Sequence, residues 1–272
     1  MKLAQVKAPT TEPIHLDEAK HHLRVESTDE DYYVNGLIAA VRSEVENHRN
    51  ECLVAQTWDM KLDDFPDGDI MIPRVPLLEV SSITYVDTNG TTQTLSAGTY
   101  IVDTASKPGR ISLAYQQSWP TARDIINAVT IRFAAGYQVP FTVSTTGDTL
   151  NPSNYVHTAN SLVRFSITGD EDQELPGGLE KYKDYYVVSA ASGAFKVSAT
   201  SGGSAIDITS EGVPASAAYF IGEMPQHIRQ AMLLMIGHYY EHREPIIAGQ
   251  IISEVPMSAK FLLDTERVYE FA

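Results

Sequence analysis

From Thr28 onward, the apolar positions Val34, Leu37, Ile38, Val41 and Val45 recur at helical spacing, while Arg42, Glu44, Glu46 and Arg49 take the remaining faces. The pattern predicts an amphipathic helix ending near Asn50, and Thr28 with Asp31 supplies a carboxylate form of the capping box at its start. Before it, residues 16–25 read as a short helix, with acids in the first turn and bases in the last, as the helix dipole favours. A third helix is predicted from 224 to 244, with Pro225 at the first helical position and Pro245 ending it. Its stripe is Ile228, Met232, Met235 and Tyr239, widened by Ala231, Leu234 and His238.

Between the second and third helices the period changes to that of strands. Residues 57–62 alternate, 65–68 turn and 69–74 run out again, which suggests a hairpin; 82–86 and 92–95 flank Asn89-Gly90, a strong hairpin signal. With 100–102, 110–113 and 129–133 they make a β region of about six strands. The following stretch is rich in Ser, Thr and Gly and poor in helix signals, with strands predicted at 161–167, 185–188, 194–198 and 205–209. It reads as an all-β module, a small sandwich or barrel, inserted into a loop of an α+β protein. The expected division is therefore a core of 1–140 with 223–272, comprising a bundle of about four helices and a β-sheet region, and an inserted β domain of 141–222.

Charge narrows the function. The chain carries 20 bases against 35 acids, a formal charge of −15, with no clustered run of Lys and Arg. Tight duplex binding is disfavoured, because gripping DNA means neutralising its phosphates; an acidic surface suits solubility, or one past which DNA slides without sticking. Cys52 is the sole cysteine and reads as a small buried apolar residue. The longest apolar stretch, 228–240, is broken by Arg229, Gln230 and His238, and no apolar segment follows Lys2, so neither a membrane span nor a secretory signal is expected.

Candidate chemistry is sparse. His238, Glu241 and His242 match the H-x-x-E-H pattern of inverted zinc proteases, but the sequence downstream offers no second paired-acid helix for the third ligand. Asp63, Asp64, Asp67 and Asp69 resemble a calcium loop only until Phe65 and Arg74 are found at ligand positions. Phosphate-loop, nucleophile-elbow and dinucleotide-binding motifs are missing, so no cofactor and no enzymatic activity are expected. The chain end is unusually apolar: Phe261, Leu262, Leu263, Val268, Tyr269 and Phe271 would fray unless docked on a partner, while the stripes of the longer helices stand without them.

An ordered series of segments then resembles one family. Residues 16–25, the helix bearing Leu37-Ile-Ala-Ala-Val41, Gln56-Thr-Trp58, Ile72-Pro-Arg-Val-Pro-Leu77, the run from Val80 to Asp87, Ala135-Gly-Tyr137 and the helix from Pro225 to Arg243 are together similar to the head-tail connector, or adaptor, proteins of tailed bacteriophages. The resemblance covers approximately 14–138 and 224–271 and departs from the family in the insert. It implies a structural virion protein of the neck, between head and tail, present in the host cytoplasm during assembly. It implies a homo-oligomeric ring, commonly a dodecamer, that binds the portal protein above and a stopper or tail protein below. Genomic DNA passes through such a ring during packaging and ejection without specific binding, and no membrane is involved. The C-terminal apolar residues named above become portal-docking candidates, and Asp170, Glu171 and Asp172, on an expected turn, become candidates for an acidic DNA lumen. A stopper or tail-completion protein of the neck, and more remotely a zinc hydrolase using His238, Glu241 and His242, stay open as alternatives.

Overall fold

The computed structural model describes residues 1–153, 157–167, 174–181, 183–191, 193–212, 219–243, 246–247, 250–251 and 257–267. It is an α+β protein of two compact units, Met1–Pro9 with Asn50–Tyr137, and Thr10–Arg49 with Gln138–Ala272.

The first unit is all β. Strands β1 (Lys2–Lys7), β2 (Gln56–Leu62), β4 (Leu77–Val86), β5 (Thr92–Thr94) and β8 (Val129–Ala135) form an antiparallel sheet in the order β1-β2-β8-β4-β5. Strands β3 (Ile70–Met71), β6 (Tyr100–Asp103) and β7 (Arg110–Leu113) form a second sheet, β3-β7-β6. Alternate residues of the larger sheet, among them Met60, Ile83, Val129, Ile131 and Phe133, meet Ile70, Ile72 and Ile111 in one buried cluster. The Asn89-Gly90 hairpin forms, pairing Val86 with Thr92, and Asp87 accepts from the N–H groups of Asn89 and Thr91 at 2.9 Å each. The hairpin expected between 57–62 and 69–74 does not. Both edges of β2 are already occupied, by β1 and by β8 along its whole length, so the short β3 pairs with β7 instead. Cys52 is buried and reduced, as its sequence context suggests.

Ala135-Gly-Tyr137 closes this unit. Gly136 has φ +155°, and a Cβ there would stand 2.6 Å from the Ala55 backbone. Only glycine lets the end of β8 run this close to the 54–55 segment, where Gly136 and Tyr137 donate to the carbonyls of Pro76 and Cys52.

The second unit contains a barrel-like sheet and a helical bundle. Strands β9 (Val139–Ser144), β10 (Thr149–Pro152), β11 (Leu162–Val163), β12 (Phe165–Ile167), β13 (Tyr185–Ala191), β14 (Ala194–Ser198) and β15 (Tyr219–Ile221) follow the order β11-β13-β14-β10-β9-β15-β12. The two ends of that order, β11 and β12, are separated in sequence by Arg164 alone, so the sheet curls until its edges nearly meet. The single strand expected over 161–167 thus serves both edges: its first half pairs with β13, its second with β15. Phe165 sits at this seam, 1% exposed, with Phe141 and Tyr185 each 5.3 Å away between ring centroids. Residues 205–209 form no strand, because their N–H groups go to separate acceptors: Ile206 to the Val197 carbonyl, Ile208 to the Asp148 carboxylate and Thr209 to the Gly177 carbonyl.

The helices are α1 (Leu16–Leu23), α2 (Asp31–Arg49), α3 (Gln226–Glu241) and α4 (Met257–Asp264), with a short pairing of β16 (Ile246–Ile247) and β17 (Gln250–Ile251) between the last two. Ala19, then Val34, Ile38, Val41 and Val45, then Ile228, Ala231, Met232, Met235 and Ile236, and finally Ala259 and Leu263 are buried. Pro225 is the N-cap of α3 rather than its first helical residue.

Candidate assembly site

The helices are held to one another by polar groups as well as by their apolar stripes. On α2, Arg42 grips Glu12 with two bonds of 2.6 and 3.2 Å and reaches Glu46, one turn on, at 3.0 Å. Both carboxylates favour the charged guanidinium and raise its already high pKa against the opposing cost of desolvation, which is the largest influence on it. Arg229 of α3 meets Glu18 of α1 at 2.7 Å.

The α2 positions expected to face outward include two that do not. Glu46 is 7% and Arg49 1% exposed. Arg49 is buried because α4 lies on this face of α2 and α3, and its guanidinium donates to the carbonyls of Leu263 and, at 2.9 Å, Thr265. The last carbonyls of a helix have no partner within it and carry the negative end of its dipole; here a buried cation from another helix satisfies them. His48, the preceding residue, pairs with Asp264 at 2.9 Å, and this bond is the main influence holding the Asp264 carboxyl below its ordinary pKa.

At the other end of α2, Arg243 lies over the rings of Tyr33 and Tyr240, 4.4 and 5.1 Å from their centroids. It also donates to Glu30, which accepts from the Tyr240 hydroxyl as well. Tyr239 donates to Glu44 at 2.9 Å; burial, then this bond, pushes its phenol up to about 12. The adjacent tyrosines Tyr32-Tyr33, Tyr185-Tyr186 and Tyr239-Tyr240 serve different places in the fold: Tyr33, Tyr239 and Tyr240 lock α2 to α3, Tyr185 lies in the barrel core, and Tyr32 is 94% exposed.

The C-terminal docking candidates are split. Leu263 is 4% exposed and packs inward, Leu262 is half-buried, and Phe261 is 75% exposed, one turn from Met257 at 85%. Val268, Tyr269 and Phe271 lie outside the described residues, as do Asp170, Glu171 and Asp172. The helical stripes do not stand free of α4, as the sequence suggested: Ala259 and Leu263 belong to the buried interior, and Arg49 depends on acceptors within and just after this helix.

The remaining constellation is the histidine pair. The rings of His238 and His242 lie 4.7 Å apart, and both the backbone N–H and the ring Nδ1 of His242 pair with the His238 carbonyl at 3.0 Å. Burial, then the neighbouring His242, lowers the pKa of His238. Glu241 is exposed, and among the described residues no three His, Cys, Asp or Glu side chains converge. Three of the four aspartates of the calcium-like run are turned to other duties. Asp63 accepts from the Asn127 N–H at 2.8 Å, Asp64 from the Phe65 N–H at 2.8 Å, and Asp69 pairs with Arg110 at 3.5 Å. Among the described residues, no helix is long and apolar enough to cross a membrane.

Acid is unevenly distributed. The first unit holds eight bases and ten acids, the second twelve bases and twenty-five acids. Nearly all the net charge thus belongs to the unit that carries the bundle and the barrel.

No known family profile and no curated protein matches the sequence. Solved structures do match in fold over the full length. A chain of the virion of a native gene transfer agent particle is 15% identical with a TM-score of 0.57, covering 100% of this chain and 98% of that one. A chain from the neck of an empty gene transfer agent particle, computed with C6 symmetry, is 17% identical with a TM-score of 0.54 and the same coverage. A third, from the neck of a native particle computed with C12 symmetry, is 17% identical at a TM-score of 0.50, again covering 100% and 98%.

Proposed function

We propose that this chain is a non-enzymatic structural protein of the neck of a tailed, phage-like particle, acting as an adaptor ring that joins the portal to the tail. The observation that carries the reading is the end-to-end likeness of fold to chains of such particles, with neither partner left with a large unmatched domain. The ordered sequence resemblance to head-tail adaptors, the net charge of −15 and the densely cross-braced helices support it. A braced subunit suits a ring that must transmit force while DNA moves through it, and an acidic wall offers phosphates no counterion-releasing contact at which to pause. The ring would be homo-oligomeric, twelve-fold if it follows the symmetry applied to one of the similar particles.

In this reading the outward side of α4, with Phe261 and Leu262, and the apolar residues that follow are the portal-docking element. Truncating the chain before α4 is a poor test, since it would also remove Ala259 and Leu263 from the interior. Phe261→Asp changes only an exposed side chain and is the appropriate variant. Electron-microscopy class averages of the protein with and without purified portal test the whole reading. Rings coaxial with the portal are expected, and Phe261→Asp should lose the portal while keeping its fold. A protein that stays monomeric and ignores the portal would overturn the adaptor role.

A further inference from the structure

The 114–128 loop of the first unit is long, yet its backbone is pinned at its start and along 122–127. Ala114 donates to the Thr99 carbonyl at 2.9 Å, Ala122 bridges Asp87, Arg123 donates to the Val86 carbonyl at 2.9 Å, and Asn127 donates to the Asp63 carboxylate at 2.8 Å. Trp119 stacks on Phe65 with 5.1 Å between ring centroids and packs against the core of the unit. On this frame the adjacent residues Ile125 and Ile126 are 43% and 80% exposed. Scattered exposed apolar residues need no explanation. Two adjacent β-branched side chains on a backbone with little entropy left to lose are a preorganised contact.

Their surroundings specify the partner. Asp124 precedes them, Asp63 is bonded to the residue that follows them, and Asp64 adjoins Asp63; all three are exposed. The nearest cation in sequence, Arg123, is turned back over Gly90, where its Nη1 occupies the place of a glycine Cβ. An apolar knob set among carboxylates fits an apolar pocket with a basic rim. The same patch of a second copy is a poor match, because it carries the same three exposed carboxylates and like charges brought together oppose association. An anionic bilayer is disfavoured for the same reason.

We propose that Ile125 and Ile126 form a docking knob for a different protein, one that presents an apolar pocket rimmed by lysine or arginine. The inference rests on the neck reading only in taking that protein to be a neighbouring component of the particle. The test places a photo-reactive benzoylphenylalanine at position 126 of the full chain, irradiates purified particles and maps the cross-linked peptides by mass spectrometry. A cross-link into another protein, beside apolar residues and within a few positions of Lys or Arg, is expected. Ile126→Asp should cut particle yield by about tenfold or more while leaving the thermal midpoint of the isolated protein unchanged. Cross-links to a second copy of this chain, to a site without basic residues, or to nothing would overturn the proposal. Absence of the chain from the particles, visible before irradiation, would instead sink the neck reading and take this partner with it.

Discussion

Replacing Arg49 with Met removes one buried cation and should release α4 before the rest of the fold gives way. The side chain is 1% exposed and donates to two carbonyls at the end of α4, those of Leu263 and Thr265. Hydrogen bonds from a charged donor contribute about 1.5–3 kcal/mol each, so losing both costs about 3–6 kcal/mol. Methionine has a similar length, and those figures are already net of the cost of desolvating the donor. The net loss is therefore about 3–6 kcal/mol. Because α4 is a helix of only eight residues, this loss falls first on local opening. Hydrogen exchange of the peptide spanning 257–267 should therefore accelerate by about 150-fold or more, while exchange in β2 and β8 stays unchanged. Arg49→Lys, which keeps the charge but replaces the planar guanidinium by an ammonium at the end of a shorter side chain, should fall between. Unaltered exchange at 257–267 in Arg49→Met would refute the claim that this residue fastens α4. Acceleration spread evenly over α2, α3 and α4 would mean that it supports the bundle as a whole.

Further outcomes follow from single observations. Gly136→Ala should destabilise the first unit by about 2–5 kcal/mol in denaturant titration, since a Cβ at φ +155° would press on the Ala55 backbone; a change under about 1 kcal/mol would show that the 54–55 segment yields. His157, its ring edge-on to Phe195 at 5.9 Å, has its pKa lowered by burial to about 4. The unfolded chain then binds more protons than the native one between about pH 6.5 and 4, so stability is full above this window and falls by about 3–4 kcal/mol as pH drops through it. His157→Phe should flatten that slope in thermal melts, and a slope surviving intact would assign it to other groups. Because Val139 pairs with Ile221, the barrel begins and ends on adjacent antiparallel strands, and we propose that 141–222 is a separable insert. Joining Gln138 to Glu223 through a short Gly-Ser linker should leave a folded protein with cooperative unfolding; insoluble product would show that the barrel supplies part of the remaining core.

What the sequence determined by itself is what depends on neighbours along the chain. The helical period of α2 and α3, the Asn89-Gly90 turn and the change to strand alternation after Asn50 were legible because side-chain direction repeats locally at 3.6 or 2 residues. So was the α+β class, with an all-β stretch set between helical segments. Among the strands lost to sequence reading, β1 pairs with β2 across about fifty residues of intervening chain and β15 joins β9 with most of the barrel between them, whereas β9 and β10 were missed although they form a local hairpin. The seam at Arg164 is a matter of closure, since nothing in an alternating run says that its two halves will serve opposite edges of one sheet.

The candidate site divides in the same way. An apolar chain end was visible in the sequence, but which of its residues face inward depends on where α4 packs, and this sends Leu263 inside and leaves Phe261 out. Arg49 and Glu46 occupy polar positions of an amphipathic helix, where solvent is the expected neighbour. Only a helix more than two hundred residues later in the chain turns that face into interior and gives a buried charge the carbonyls it needs. A local pattern reports which side of a helix prefers water; whether water remains there is decided by elements that the pattern cannot reach.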